Sequence, residues 1–423
     1  MAPAVMLQPL PNFPLADADK CVKCALCLPH CPTYLDTLDE GESPRGRIAL
    51  MQGFAAGALE ITPRLAAHLD HCLACRACEV VCPAEVPYGK LIDAARLELR
   101  RRGHGEPLKS LAFAHAMRGK NHRRFVRVVM RFSERIGLTA FVAKSGPTGL
   151  RRLAKLLPVM PKPRHWKPAY IPRTKSGQSV SLFLGCIADI TQPQVSAAAI
   201  GVLNALGIEV QIPPSQGCCG ALDQHAGRTD QAAKLVRKNL DAFNTDANVP
   251  LLNTASGCGA TLGEYTLLTN DPRAKAFSAR SCDISSFLIH TQQLSHIQFK
   301  PWNATVLVHS PCTLKNVLRT DKAVVELLRC IPELRVETLP ASTGCCGAAG
   351  SYVLNEPETA DRLADHIVAS VDKIRPAVLV TSNVGCALHL QAALQRHGLD
   401  IPLLHPVEVL ARQLPDQADA QTL

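Results

Sequence analysis

Eight of the 18 cysteines occur in two runs with the same internal spacing. The runs are Cys21-x2-Cys24-x2-Cys27-x3-Cys31-Pro32 and Cys72-x2-Cys75-x2-Cys78-x3-Cys82-Pro83. Three thiolates on one tight loop bind three irons of a [4Fe–4S] cluster, while the fourth cysteine of such a run reaches a second cluster. Zinc also favours four thiolates, but a zinc site does not explain this spacing and the following proline twice over.

The two runs therefore predict two [4Fe–4S] clusters that exchange their fourth ligands. We expect cluster 1 on Cys21, Cys24, Cys27 and Cys82, and cluster 2 on Cys72, Cys75, Cys78 and Cys31. Each cluster carries one electron at a time, so this part of the chain is predicted to transfer electrons.

Two helices are predicted to separate the runs. Ser43-Pro44 and Thr62-Pro63 are each typical of a helix start, with an N-cap residue followed by proline at the first helical position. Arg45 and Arg47 lie in the first of these turns. They either tune the cluster potential or lie in solvent, and the frequent exposure of arginine favours solvent.

Eight further cysteines belong to an internal repeat in the C-terminal half. The first copy contains Cys186, Cys218, Cys219 and Cys258, and the second contains Cys312, Cys345, Cys346 and Cys386. Corresponding cysteines lie 126, 127 or 128 residues apart, and both vicinal pairs stand in a GCCG sequence. Such regularity predicts two similar half-domains.

Each copy alternates short β-branched runs with amphipathic segments such as Ala197–Leu206 and Ala323–Leu328. This alternation favours parallel α/β units. The cysteines stand just past the carboxyl ends of predicted strands, which is the edge of an open α/β sheet where ligands bind.

Composition and charge limit the remaining possibilities. Residues 1–20 contain four prolines and no apolar core of an export signal, so we expect reduced thiols and a cytoplasmic protein, peripheral at most to the inner membrane. The net charge of +10 is uneven, because residues 100–175 hold 20 Lys+Arg and two acids. Aromatic residues make up only 4%, which argues against nucleic acid as a partner.

The basic segment predicts an amphipathic helix within residues 121–144. Four arginines recur at three- and four-residue spacing beside an apolar face; they are Arg124, Arg127, Arg131 and Arg135, with Phe125, Val128, Val129, Phe132 and Ile136. Three interpretations stay open: contact with an anionic membrane, docking on an acidic partner subunit, or packing of the apolar face in this chain's own core.

Together these motifs resemble the iron–sulfur subunit of bacterial glycolate oxidase, of the CCG-domain and dicluster ferredoxin family. The likeness rests on CVKCALCLPHCPTYLDTLDEGESPRGRIALM, HCLACRACEVVCPAEVPYGKLIDAAR, the two CCG sequences, TASGCGA and NVGCALH. It implies a complex in which FAD-bearing partner subunits oxidise glycolate to glyoxylate and this subunit passes electrons to a quinone or similar acceptor. Relatives of the same architecture serve lactate, glycerol 3-phosphate and heterodisulfide chemistry.

The resemblance also implies a third iron–sulfur site, because the CCG family pattern ends in Cys-x-x-Cys. In this chain the last cysteine is replaced by Thr261 in the first copy and by His389 in the second. A further cluster could use Cys312, Cys345, Cys346, Cys386 and His389, or Cys186, Cys218, Cys219 and Cys258. Redox-active vicinal pairs or simply buried cysteines are the other interpretations.

The predicted fold class is α + α/β, with a helical dicluster ferredoxin-like domain followed by two tandem α/β CCG modules in a pseudo-twofold repeat. The expected domains are 1–102, a basic connector 103–178, and modules 179–295 and 296–423. Cys282 and Cys330 are expected in the core, and His225, His309 and His405 in hydrogen-bonded structural roles. No GxGxxG motif follows a strand, so the flavin is expected on a partner. Besides electron transfer, thiol or disulfide catalysis at a CCG module and a role as an assembly scaffold remain alternatives.

Overall fold

The computed structural model describes residues 10–104, 107–156, 159–244, 248–340 and 343–415. As the sequence predicts, a helical N-terminal region is followed by two α/β modules with parallel sheets. The two modules are called module 1 and module 2 below.

The N-terminal region is a small helical domain that carries both ferredoxin-type cysteine runs. Its six helices are α1 (Leu15–Ala18), α2 (Pro32–Thr37), α3 (Pro44–Ala55), α4 (Pro63–Asp70), α5 (Ala77–Val80) and α6 (Tyr88–Arg101). The predicted caps are confirmed, since the Ser43 hydroxyl accepts from Gly46 N and the Thr62 hydroxyl accepts from Leu65 N. Helices α3, α4 and α6 enclose an apolar core that contacts several of the cluster cysteines.

The basic connector is helical. It contains α7 (Leu108–Arg118), α8 (Lys120–Arg135), α9 (Leu138–Ser145) and α10 (Thr148–Leu156). The predicted amphipathic helix ends at Arg135, because Gly137 adopts a left-handed backbone and separates α8 from α9. Val126 and Met130 on α8 pack against module 1, whereas the apolar face predicted around Phe125 and Phe132 is exposed. Within the described ranges, that face therefore does not pack into the chain's own core.

Module 1 is built on a five-stranded sheet of order β1-β3-β2-β4-β5, in which only β1 is antiparallel. Its strands are β1 (Ala169–Tyr170), β2 (Ser179–Phe183), β3 (Glu209–Gln211), β4 (Leu251–Asn253) and β5 (Ser281–Asp283). Its helices are α11 (Ile187–Thr191), α12 (Pro193–Ala205), α13 (Ala221–Gln224), α14 (Thr229–Ala242), α15 (Ser256–Gly263), α16 (Arg273–Ala279) and α17 (Ile284–His290).

Module 2 has a fully parallel sheet of order β7-β6-β8-β9, which repeats the order β3-β2-β4-β5 of module 1. Its strands are β6 (Ala304–His309), β7 (Leu334–Thr338), β8 (Val378–Thr381) and β9 (Leu403–Leu404). Its helices are α18 (Asp321–Leu328), α19 (Tyr352–Asn355), α20 (Pro357–Ile374), α21 (Val384–Arg396) and α22 (Pro406–Arg412), with a π-helical turn at Thr313–Leu318.

The modules share one apolar core. Helix α12 of module 1 packs against α22 of module 2, and α17 packs against α18. Val202 and Leu203 of α12 and Val407 and Leu410 of α22 are fully buried in this core. The carboxyl ends of β4 and β6 also meet, since Ser256 Oγ lies 2.8 Å from Thr313 Oγ1. The cysteine loops of both modules are thereby brought to the same side of the molecule.

None of the helices in the described ranges is both long enough and apolar enough to cross a bilayer.

Candidate functional site

The loops of the two ferredoxin-type runs share an unusual backbone conformation. In the first run Lys23 and Ala25 have φ of 56° and 71°, and at the same positions of the second run Ala74 and Arg76 have φ of 50° and 58°. Non-glycine residues rarely adopt this left-handed region, and its repetition indicates a functional constraint. These left-handed residues tighten each loop, and three ligands to one [4Fe–4S] cluster come from such a tight loop. The residues present therefore fit the cluster that their spacing predicts.

The first run lies near the protein surface. Cys21, Cys24, Cys27 and Cys82 line one small pocket, together with Cys78 and apolar neighbours such as Ile48 and Val86. Cys24 is exposed and the other three predicted ligands of cluster 1 are half-buried. Among the cysteines of the two ferredoxin-type runs, Cys24 is therefore the most accessible to another protein.

The second run lies against module 2. Cys72 and Cys78 are buried, and so is Cys31 of the first run. Burial raises the pKa of Cys78, and the nearby thiols of Cys75, Cys72 and Cys31 raise it further. Cys75 packs against Cys345 and Cys312 of module 2, and the Asn316 side chain donates to the Cys75 carbonyl at 2.7 Å. The predicted ligands of cluster 2 are thus brought together at the boundary with module 2.

Arg47 corrects the expectation that the first turn of α3 lies in solvent. Its side chain is 1% exposed, forms an ion pair with buried Glu42, and donates to Thr33 Oγ1 at 3.0 Å and to the His68 carbonyl at 2.6 Å. Burial alone would lower the pKa of Arg47, but Tyr88, Cys72 and Glu42 raise it above its usual value. A permanent positive charge therefore lies beside the second run. Arg45 is only partly exposed and pairs with Glu40.

Module 1 brings together four cysteines from three segments, with Cys186 before α11, Cys218 and Cys219 before α13, and Cys258 in α15. Cys186 Sγ lies 3.4 Å from Cys218 Sγ, and donation from Cys186 and Cys219 keeps the pKa of Cys218 well below its usual range. Asn239 fixes the vicinal pair, because its side chain accepts from Gly217 N at 2.8 Å and donates to the Cys218 carbonyl at 2.9 Å. Tyr265 donates to the Cys219 carbonyl at 3.0 Å. Both are buried, so the loop is rigid.

Module 2 gathers its four cysteines in the same way and adds a histidine. Cys312 and Cys346 donate to Cys345 and lower its pKa well below the usual range. The ligand atoms of His309, Cys346 and Cys386 all lie within 4.8 Å of one another, and all three residues are buried. Burial lowers the pKa of His309 to about 4, so its imidazole is neutral at physiological pH.

His389, which the sequence suggested as a replacement ligand, lies elsewhere. Its Nε2 contacts the Ala360 carbonyl at 3.0 Å, and it is not part of the compact group. His309 takes the place beside the thiols instead, although the sequence predicted only a structural role for it. Its position at the end of a strand, three residues before Cys312, was the signal that could have identified it.

All eight repeat cysteines open into one cavity of about 520 Å³. Cys72 of the second run lines it as well, with basic side chains from Arg76, Arg96 and Arg100 and the carboxylates of Glu264 and Glu356. Cavities of this size are typical of small-molecule and cofactor sites. The fold therefore collects residues of the second run and of both modules around a single cavity.

The remaining sequence candidates have structural roles. His225 Nδ1 lies 3.0 Å from Asp93 and joins module 1 to α6, and His405 caps α22 by accepting from Val407 N at 3.2 Å. Cys282 is half-buried against the shared core. The prediction that Cys330 is a core residue is wrong: it is exposed, because it lies in the turn after the end of α18.

Comparison with known proteins agrees with this architecture. A family model described as a 4Fe-4S dicluster domain matches residues 17–86, and one described as a cysteine-rich domain matches residues 180–263 and 306–391. The probable glycolate oxidase iron–sulfur subunit of Bacillus subtilis is 34% identical over 90% of this chain and 89% of that protein. The glycolate oxidase iron–sulfur subunit of Escherichia coli is 32% identical, covering 90% and 92%. Lactate utilization protein A of Bacillus pumilus is 29% identical over 55% of this chain and 98% of its own length.

The two glycolate oxidase subunits are matched over 89% and 92% of their own lengths, and in this chain the dicluster domain precedes both cysteine-rich domains. The chain belongs to the family of glycolate oxidase iron–sulfur subunits, proteins that carry iron–sulfur clusters and transfer electrons within a dehydrogenase complex.

Proposed function

We propose that this chain takes electrons from an FAD-binding partner subunit during oxidation of glycolate to glyoxylate and passes them toward a quinone or similar acceptor. The names of the two most complete relatives above support glycolate as the 2-hydroxy acid, and lactate is the alternative that the third relative supports. The observation that carries the proposal is the opposite setting of the two cysteine runs, one at the surface and one against module 2.

We assign cluster 1 to Cys21, Cys24, Cys27 and Cys82, and cluster 2 to Cys72, Cys75, Cys78 and Cys31. The shared pocket of the first four supports this assignment, as does the burial of Cys31 among the cysteines of the second run. Each [4Fe–4S] cluster, when bound, accepts and releases one electron. The chain's own residues hold the thiolates and place the Arg47 charge beside the second site.

Electrons enter at the first run in this proposal. Val22 and Leu26, which flank the exposed Cys24, are 70% and 55% exposed, whereas Leu73, at the position equivalent to Val22, is 5% exposed because module 2 covers it. Exposed apolar side chains around a redox centre are typical of a docking surface for a protein partner. We therefore place the flavin-bearing subunit at this surface.

A second surface supports assembly of the complex. Phe125, Val128 and Phe132 form an exposed apolar face on α8 between Arg124 and Arg135. Aromatic residues and arginine are enriched in protein interfaces, and we assign this face to an acidic partner subunit. Co-sedimentation of the isolated chain with vesicles of anionic lipid would instead assign it to a peripheral membrane contact.

The second candidate function is thiol or disulfide chemistry in a CCG module. The cysteine-lined cavity of about 520 Å³ favours it, because a small thiol-containing substrate has room there. Under this alternative, a disulfide would reoxidise the reduced clusters without a quinone. Under the proposed function, a quinone would do so and the disulfide would not.

The experiment uses the complex purified with its partner subunits. The double variant Val22→Ser, Leu26→Ser should keep the iron of both clusters but slow their reduction by glycolate at least about tenfold, which corresponds to about 1.4 kcal/mol of lost docking energy. Leu267→Ser, an equally exposed apolar residue on module 1, is the matched control and should not change the rate. Equal reduction rates in the double variant and the wild type would refute electron entry at the first run. Faster reduction by lactate than by glycolate would refute glycolate as the substrate.

A further inference from the structure

Two of the cysteines assigned to cluster 2 lie beside buried hydroxyl groups. Tyr88 Oη donates to Cys72 Sγ at 3.6 Å, and Tyr88 is only 3% exposed. Thr33 Oγ1 lies 3.4 Å from Cys31 Sγ and is equally buried. A thiolate can only accept a hydrogen bond, so the Thr33 hydroxyl is the donor of this pair when Cys31 binds iron.

The Thr33 hydroxyl can turn toward Cys31 because Arg47 serves the same carbonyl. Thr33 Oγ1 donates to the Glu42 carbonyl at 2.9 Å, and Arg47 donates both to that carbonyl and to Thr33 Oγ1. The carbonyl therefore keeps a partner when the hydroxyl donates to the thiolate. Arg47 also interacts electrostatically with Cys72 and Cys31, although the carboxylate of Glu42 offsets part of its charge.

The corresponding positions around cluster 1 offer no such donor. Ala84 occupies the position after the last cysteine of its run that Thr33 occupies in the other run, and alanine has no hydroxyl. Thr37 takes the position of Tyr88, but its hydroxyl donates to the Thr33 carbonyl at 2.9 Å. Main-chain N–H groups donate to a cysteine of each run, so within the described ranges the two runs differ in their hydroxyl donors.

This difference bears on the reduction potentials of the two clusters. Reduction adds one negative charge, and burial disfavours that charge, so burial alone would make cluster 2 harder to reduce than the exposed cluster 1. Hydrogen bonds to the thiolates favour the reduced form, because they strengthen as the negative charge on sulfur grows. A buried cation such as Arg47 acts in the same direction.

We propose that the hydroxyls of Tyr88 and Thr33 raise the reduction potential of cluster 2 to or above that of cluster 1. Electrons then move from the surface run to the run against module 2. Each transfer oxidises cluster 1 and reduces cluster 2 by one electron, and no bond or proton is exchanged. The inference rests on the cluster assignment and the entry surface of the proposed function, and it makes Tyr88 and Thr33 positioning residues for electron transfer.

The test is a redox titration of the full chain, purified without oxygen and monitored by EPR. A water-soluble dysprosium chelate relaxes the signal of the exposed cluster 1 more strongly and so distinguishes the two clusters. At a fixed potential, Tyr88→Phe should lower the ratio of reduced to oxidised cluster 2 at least about threefold, and the double variant Tyr88→Phe, Thr33→Ala about tenfold, which corresponds to about 59 mV. Cluster 1 should keep its potential in both variants.

Two matched variants separate the hydroxyl groups from the packing around them. Tyr34→Phe removes the hydroxyl of a tyrosine on α2 that donates to no cysteine in the described part of the chain, and it should change neither potential. Thr33→Ser keeps the hydroxyl and should keep the wild-type potential of cluster 2.

The inference is overturned if cluster 2 has the lower potential in the wild type, if Tyr88→Phe leaves that potential unchanged, or if Tyr88→Phe lowers both potentials equally. Iron analysis distinguishes this failure from that of the proposed function. About eight irons per chain with unchanged potentials would contradict this inference alone, whereas a wild type with fewer irons would contradict the cluster assignment itself.

Discussion

The two CCG modules have the same strand order and the same cysteine quartet, yet different groups hold and cover those cysteines. In module 1 the vicinal pair is held by Asn239 and Tyr265 and covered by α7 and α8 of the connector. In module 2 the quartet contacts Cys75 of the ferredoxin-type domain, and a histidine stands where module 1 has Phe183. Duplication supplied two equal frameworks, and a few residues at strand ends distinguish their chemistry.

The two modules also differ in the groups that surround their cysteine loops. The module 1 loop is held by neutral hydrogen bonds, because the Asn239 side chain donates to the Tyr265 hydroxyl and the Tyr265 ring stacks on Phe277. The module 2 loop adjoins the second cysteine run and carries the compact set of potential metal ligands.

The largest expected difference is in stability, because the hydrogen bonds of Asn239 have no counterpart at the equivalent position of module 2. Asn239→Ala leaves Gly217 N and the Cys218 carbonyl buried without partners, and should destabilise the fold by about 3 kcal/mol. His366, which lies 127 residues further along, is exposed, and His366→Ala should cost less than about 0.5 kcal/mol. Urea unfolding of the two variants measures the difference. Similar losses of unfolding free energy would mean that the Asn239 hydrogen bonds do not stabilise module 1 in particular.

The modules also differ in a titratable helix cap. Asp283 caps α17 after the last strand of module 1, and His405 caps α22 after the last strand of module 2. Burial raises the pKa of Asp283 to about 6 and lowers the pKa of His405 to about 3. The contribution of Asp283 to the free energy of unfolding is complete below pH 3.8 and is lost as the pH rises through about 6. The contribution of His405 is complete above 6.5 and is lost as pH falls toward about 3.

Asparagine at either cap keeps an acceptor but no longer titrates. Asp283→Asn should therefore become more stable relative to the wild type as the pH rises from 4 to 6. His405→Asn should become more stable relative to the wild type as the pH falls from 6.5 to 4. Each pH unit contributes at most about 1.4 kcal/mol. Hydrogen exchange of the α17 and α22 amides across this range is the measurement. If the stability of each variant depends on pH in the same way as that of the wild type, Asp283 and His405 do not titrate with the pKa values given above.

The sequence was most informative where spacing itself has chemical meaning. The two ferredoxin-type runs, the helix starts at Ser43 and Thr62, and the repeat offsets each depend on local geometry or on duplication, and the corresponding elements are present. The resemblance to glycolate oxidase iron–sulfur subunits followed from the same motifs. The surface position expected for Arg47 and the buried position expected for Cys330 were wrong, because burial depends on what other elements pack there.

By itself, the sequence determined the cofactor class, the α + α/β fold and the paired modules, since cysteine spacing and hydrophobic period are local properties. Only the tertiary structure decided which run is buried, that all eight repeat cysteines share one cavity, and that His309 rather than His389 lies beside the thiols. These depend on contacts between residues far apart in the chain. His309 and Cys386 come together because parallel strands β6 and β8 place their carboxyl ends side by side.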